Sequence, residues 1–182
     1  PCHELADLQR EPDERVLING ASGAVGTAAV QLAKHFGAIV TAVCSAANVT
    51  LVRSLGAANV IDYSKEDFTL TGKTYDVILD AVGNCTFARC ERALSPGGRL
   101  LLVVASLGQI LGSLLRQSRR GRLVLTAVGS SHVEEDLRLL TTLAESGALR
   151  PVIDRTYPLT GIADAHAYVD TGRKKGSVVI TP

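Results

Sequence analysis

Short apolar runs alternate with stretches of helical period along the chain. Val16–Asn19 reads as a first strand. Behind it Val25, Ala29, Leu32 and Phe36 fall on one helical face, and Gly37 supplies a stop. Ile39–Cys44 is a second strand, Asn48–Leu55 a short helix ended by Gly56, and Asn59–Tyr63 a third strand. Asp76–Val82 is a fourth, apolar enough to be buried on both faces. Thr86–Leu94 reads as a helix with Phe87, Cys90 and Leu94 inward, closed by the Ser-Pro-Gly-Gly that follows. Arg99–Ala105 and Leu123–Val128 are the fifth and sixth strands. Val133–Ser146 is a helix with Leu137, Leu140 and Ala144 on one side. An extended piece near Pro151–Pro158, a helix near Gly161–Thr171 and a strand at Ser177–Thr181 complete the pattern.

Six strands separated by helices predict an α/β, doubly wound six-stranded parallel sheet (the Rossmann fold), with helices on both faces and right-handed crossovers. A ligand then lies at the carboxyl ends of the strands, at the switch point. The composition adds limits. The chain has 182 residues, 46% of them hydrophobic, with 19 basic and 18 acidic residues and a net charge of +1. That balance offers no general field for nucleic acid or an anionic membrane. The arginine-rich run Arg-Gln-Ser-Arg-Arg-Gly-Arg at 116–122 reads as a solvated turn before the sixth strand. The greasy stretch Leu100–Leu115 is broken by Gly108, Gln109 and Gly112, so it reads as a buried strand and a turn, not a membrane span. Cys2, Cys44, Cys85 and Cys90 show no Cys-x-x-Cys spacing. They read as free thiols of a reducing, cytoplasmic setting and as poor zinc ligands, so no metal is expected.

The chemistry is concentrated in Ala-Ser-Gly-Ala-Val-Gly, residues 21–26, between the first strand and its helix. Gly23 lets the backbone approach a pyrophosphate, and Gly26 lets the helix pack close to the strand. The amides of Ala24 and Val25 stand at a helix N-terminus, which favours an anion, and Ser22 adds a hydroxyl donor. Against Gly-x-Gly-x-x-Gly the first glycine is Ala21, and a bare structural turn would carry the same glycines. No lysine follows Gly26, as a phosphate-binding P-loop needs, and neither Tyr63 nor Tyr168 has the lysine four residues on that short-chain reductases use.

An NAD site places Asp or Glu about 20 residues after the glycines, on the ribose hydroxyl. Here no acid occurs from Arg15 through Ile61. A 2′-phosphate would meet no like charge at the end of the second strand, where Ser45 and Asn48 could bond it, with Tyr63 ending the neighbouring strand. No arginine or lysine stands there to assist, Arg53 being the nearest cation. The four histidines do not cluster, and no catalytic acid, base or nucleophile is visible, which fits hydride transfer by a cofactor.

The runs "VLINGASGAVGTAAVQLAKHFGA", "LVRSLGAANVIDYSKEDF", "YDVILDAVG", "LSPGGRLLLV" and the tail "PVIDRTYPLTGIADAHAYVDTGRKKGSVVI" resemble the medium-chain dehydrogenase/reductase superfamily. The branch they are most similar to is that of zinc-independent quinone oxidoreductases and NADPH reductases. The resemblance implies that this is the cofactor half of a longer protein. Residues 1–12 would end a linking helix from a GroES-like domain, 13–156 would form the dinucleotide-binding domain, and 157–182 would return toward the catalytic domain. Carried over, Ser22, Gly23, Ala24 and Val25 would hold the pyrophosphate, and Ser45, Asn48 and Tyr63 the adenosine 2′-phosphate. Val82 and Gly83, Ser106 and Leu107, then Val128 and Gly129 would line the nicotinamide half, with Lys175, Gly176 and Ser177 at a cofactor-contacting turn.

The expected function is NADPH-dependent hydride transfer to a quinone, enone or related carbonyl, a small-molecule substrate of the full-length protein. This fragment alone would bind NADP(H) without turnover. The alternatives are an enoyl-reductase module of a multidomain synthase and a non-catalytic NADP-binding module. Leu123–Val128 carries no proline and no charge, so a homodimer through the edge of the sixth strand is expected, with no nucleic-acid or membrane partner.

Overall fold

A computed structural model describes residues 13–103, 121–125 and 133–182. Its main sheet is built from β1 (Arg15–Asn19), β2 (Ile39–Cys44), β3 (Asn59–Asp62), β4 (Tyr75–Asp80), β5 (Leu94–Leu102) and β6 (Gly121–Leu125). All neighbours are parallel, in the order β3-β2-β1-β4-β5-β6. The helices are α1 (Ala24–His35), α2 (Val49–Ser54), α3 (Phe87–Cys90), α4 (Val133–Glu145) and α5 (Ile162–Asp170). A separate parallel pair joins β7 (Ile153–Pro158) to β8 (Ser177–Thr181), so β7 runs across the expected division at residue 157.

The near-continuous apolar runs of β1 and β4 put side chains on both faces of the sheet, and both faces are covered. Val16, Ile18, Val77 and Leu79 pack with Ala29, Leu32, Val52 and Leu143 of α1, α2 and α4. Leu17, Ile78, Leu100 and Leu102 pack on the other side with Phe68, Cys85, Cys90 and Ala93. Burial of these side chains is the main force holding the layers together. At the amino end, Arg99 pairs with Glu14 at 2.7 Å and the Arg15 backbone donates to Asp76 at 2.8 Å. β1 has β2 on one side and β4 on the other, and strand order reverses there, opening the crevice of the doubly wound sheet.

Four details differ from the sequence pattern. Val25, in the first turn of α1, is 46% exposed, whereas Ala29 and Leu32 carry the packing. Helix α3 ends at Cys90 and a 3₁₀ turn over Glu91–Ala93 follows, so Leu94 begins β5. Ser-Pro-Gly-Gly does not stop a helix; it lies inside β5 as a bulge, where pairing jumps from Tyr75–Leu94 to Val77–Arg99 and Gly97 takes a φ of +81°. On α4, Leu143 rather than Ala144 enters the core, with Leu139 and Leu140 beside it, while Leu137 is 58% exposed. The sixth strand is described as Gly121–Leu125; its expected continuation to Val128 lies outside the described residues.

Candidate functional site

The turn after β1 is shaped by its backbone. Gly20 has a φ of +81°, and the amides of Gly20 and Ala21 both donate to the Val43 carbonyl, at 3.2 and 3.1 Å. The left-handed residue is therefore Gly20, one position before the template's first glycine, and the working spacing is Gly20-x-x-Gly23-x-x-Gly26. Ala21 is tolerated because its methyl group is fully buried in the core. At Gly26 a Cβ would lie 2.1 Å from the Gly20 carbonyl oxygen and 2.7 Å from Ala21 Cα. Only glycine allows α1 to start this close to the strand. Gly23 caps α1 with no side-chain bond, and the first turn holds no acid, so its amides are open to an anion.

Beside the turn, Asn48 Nδ2 donates to Ser22 Oγ at 3.0 Å and to Ser45 Oγ at 3.3 Å. Both hydroxyl oxygens accept from Asn48, so each keeps its own proton to donate. Asn48 Oδ1 is buried with no protein partner, which suits a donor from a ligand, such as a sugar hydroxyl. Asn48 thus orients the serines. Tyr63, just past β3, is 65% exposed. The nearest acid, Asp62, is turned to its own neighbour, accepting from Ser64 Oγ at 2.8 Å and Ser64 N at 3.1 Å. Those bonds hold its carboxyl below the usual range.

These groups line one open cleft of about 830 Å³. The structure brings Ser22, Gly23, Ser45, Asn48, Tyr63, Val82 and Lys175 together on it. Ala24 opens α1 next to Gly23 but, with Ser177, faces a second groove of about 420 Å³ between α1 and α4. Gly83, with a φ of +86°, gives its amide to Asp80, and Gly176 gives its amide to the Ser22 carbonyl at 2.8 Å. Ser106, Leu107, Val128 and Gly129 lie outside the described residues.

Sequence reasoning missed several residues of this site. Asp80 is fully buried and accepts from Asn19 Nδ2 (2.9 Å), Val82 N (3.0 Å), Gly83 N (3.2 Å) and Cys85 N (2.8 Å). It fixes the loop after β4 against the end of β1. Arg89, held by Asp67 at 2.7 Å, lines the cleft, and so do Arg173 and Lys174. Among the described residues the lining includes four cations and no carboxylate. The Arg-Lys-Lys run at 173–175 was the available signal, but only the fold carries it to Ser22, through the backbone bridge of Gly23 with Gly176. Cys85 is fully buried; the Cys90 hydrogen bond first, then burial, pushes its thiol far above the usual range. No three His, Cys, Asp or Glu side chains converge among the described residues, so these residues do not fit a zinc ion.

The sequence model of a family described as zinc-binding dehydrogenase matches residues 55–180. The chain is 37% identical over 171 residues to the NADPH-dependent alkenal/one oxidoreductase of Arabidopsis thaliana chloroplasts, covering 92% of this chain and 40% of that protein. It is 34% identical over 191 residues to a trans-enoyl reductase, pgmF, of Aspergillus terreus, covering 95% and 53%. The solved quinone oxidoreductase of Coxiella burnetii superposes on all of this chain and 56% of its own, with a TM-score of 0.83 and 27% identity. The chain spans about half the length of the curated relatives it matches.

Proposed function

Because the chain belongs to the zinc-binding dehydrogenase family, in the quinone-oxidoreductase-like branch of the medium-chain dehydrogenase/reductase superfamily, we propose that it is the NADP(H)-binding part of an oxidoreductase that reduces a quinone, enone or related carbonyl. The observation that carries this reading is the charge of the cleft: among the described residues, four cations and no carboxylate around a glycine turn. The first turn of α1 and Ser22 would hold the pyrophosphate. Ser45 and Tyr63, with Arg173 and Lys175 opposite, would hold the 2′-phosphate, and Asn48 Oδ1 would accept from the ribose. Reduced nicotinamide supplies the hydride; the chain supplies binding, orientation and a fixed electrostatic surround.

The apolar residues left exposed on the β7–β8 unit, Ile153 (54%), Leu159 (59%) and Ile162 (44%), support a covering by further chain, which in our reading is the GroES-like domain that completes the substrate cleft. The trans-enoyl reductase relative supports a second reading, in which the acceptor is an enoyl thioester within a multidomain synthase. We place the protein in a reducing compartment such as the cytoplasm, in keeping with three buried cysteines that are not in disulfides among the described residues. We also assign a twofold contact to the outer edge of β6, which closes one side of the sheet. Light scattering at high concentration should give a dimer; a monomer removes that assignment.

The test of function is NADPH consumption by the full-length protein with a panel of quinones, enones and enoyl thioesters. Turnover with the first two and not the third selects the leading reading. The 182-residue chain alone should bind NADPH and turn nothing over. Oxidation of NADPH by it would show that catalytic groups lie within this half.

A further inference from the structure

The basic turn over residues 172–176 is outside the six-stranded sheet, yet it forms one wall of the cleft. One carboxylate ties it down. Asp154 Oδ2, on β7, accepts from the Tyr168 hydroxyl on α5 at 2.5 Å and from the Lys175 backbone amide at 3.0 Å. The Arg155 guanidinium lies 3.8 Å over the Tyr168 ring and holds that tyrosine from above. Beyond the turn, Gly176 N donates to the Ser22 carbonyl and Ser177 N to the Val152 carbonyl at 2.7 Å. Lys174 Nζ is bound to the Gly176 carbonyl at 2.8 Å, and Arg173 and Lys175 line the cleft on either side of it.

We propose that Asp154, through Tyr168 and the Lys175 amide, is a positioning residue that sets the basic turn for an adenosine 2′-phosphate and so determines the preference for NADPH over NADH. The inference rests on reading the cleft as an NADP site. Asp154 touches no cofactor and acts only by fixing the backbone that carries Arg173 and Lys175. The sign of the effect separates position from charge. Removing a carboxylate near a phosphate site strengthens phosphate binding if its charge is all that matters. It weakens binding if the carboxylate was holding the cations in place.

Calorimetric titration of NADPH, NADH, 2′,5′-ADP and 5′-AMP into the chain and its Asp154→Ala and Tyr168→Phe variants tests this. We expect Asp154→Ala to weaken NADPH and 2′,5′-ADP by about tenfold, with NADH and 5′-AMP changed by less than about twofold. Tyr168→Phe, which keeps the stacked ring, should act in the same sense by about threefold. Should the alanine variant not fold, Tyr168→Phe decides alone. Wild type with no preference for the 2′-phosphate would overturn the NADP reading itself. Wild-type preference with an unchanged or increased ratio in the variants would overturn only the role of Asp154. Equal weakening of all four ligands would also overturn it, since that marks a general structural loss.

Discussion

The glycine turn and the basic turn meet at one cleft, joined by the Gly23–Gly176 bridge, but they are supported differently. The first grows out of β1, whose Val16, Leu17 and Ile18 are wholly buried between two layers of helices. The second hangs between α5 and β8, in a unit whose strands are largely half-exposed or exposed and whose joints are polar: Asp154 to Tyr168, Asp154 to Lys175, Gly176 to Ser22. Core packing costs several kcal/mol to disturb, and exposed polar contacts cost far less. On the proposed reading, the glycine turn, set in the core, would take the part common to both nicotinamide cofactors, and the polar-jointed basic turn the group that distinguishes them.

One glycine on each side breaks the comparison most directly. At Gly26 a methyl group has nowhere to go, because the Gly20 carbonyl is backbone of the buried turn. Gly26→Ala should destabilise the fold by about 3 kcal/mol, read in urea, and abolish binding of both cofactors. An unchanged unfolding midpoint would show that α1 can slide, and that the turn is not rigid.

The selectivity of the cleft is the next lever. With Arg173 and Lys175 present, NADPH should bind about a hundredfold tighter than NADH, since charge-assisted bonds are roughly twice as strong as neutral ones. On the proposed reading, Ser45→Asp would place a carboxylate where the 2′-phosphate sits and give the ribose an acceptor. The preference should invert, as measured by titration of both cofactors. An unaltered ratio would assign discrimination wholly to the basic turn.

Gly176→Ala is the counterpart of Gly26→Ala. Gly176 has a φ of +68°, and a Cβ there would sit 2.2 Å from the Val152 carbonyl oxygen. The strain falls on the joint, not the sheet. We expect NADPH affinity to fall about tenfold while the main unfolding transition stays within about 0.5 kcal/mol. A loss of stability comparable with that of Gly26→Ala would mean that the C-terminal unit is part of the same cooperative core.

The same division governs what was legible in the sequence. Strands buried on both faces write themselves as apolar runs, and the sheet and the glycine turn follow from them. Bulges do not: Ser-Pro-Gly-Gly looks like a helix stop because a proline and two glycines end helices and kink strands alike. Helix facing differs from the periodicity at Val25, which is exposed in the first turn of α1, and at Ala144, where α4 contributes Leu143 instead. Asn48 showed as a donor near the end of β2, but that it spends both bonds on serines is a matter of three dimensions. Most remote was the basic turn. Nothing local relates Arg173 to Ser45; the pairing of β7 with β8 and the Gly23–Gly176 bridge bring them to one cleft.

The two regions should also fail at opposite ends of the pH scale. In the core, burial first and then the Asp62 charge raise the Cys44 thiol, and the contact with Cys90 and burial raise that of Cys85. A folded pKa above the unfolded one means that the unfolded chain loses protons first as pH rises. Stability is then intact below the ordinary thiol value of about 8.5 and declines above it, by about 1 kcal/mol near pH 9.5 for Cys85. In the C-terminal unit the sign is reversed. Asp154 is held below its ordinary range by the Tyr168 hydroxyl first and then by the Lys175 amide and nearby cations. Its contribution is present above an unfolded carboxyl pKa of about 4 and is lost as pH falls through the folded value; being mostly solvated, it is a fraction of a kcal/mol. Hydrogen exchange against pH resolves the two. In mild alkali the protection of β1 and β4 should fall, and Cys85→Ala should blunt that fall. In acid, below about pH 4, the Lys175 amide should lose protection while the central strands keep theirs. Simultaneous loss in both regions at either limit would mean that the two rims of the cleft open as one unit.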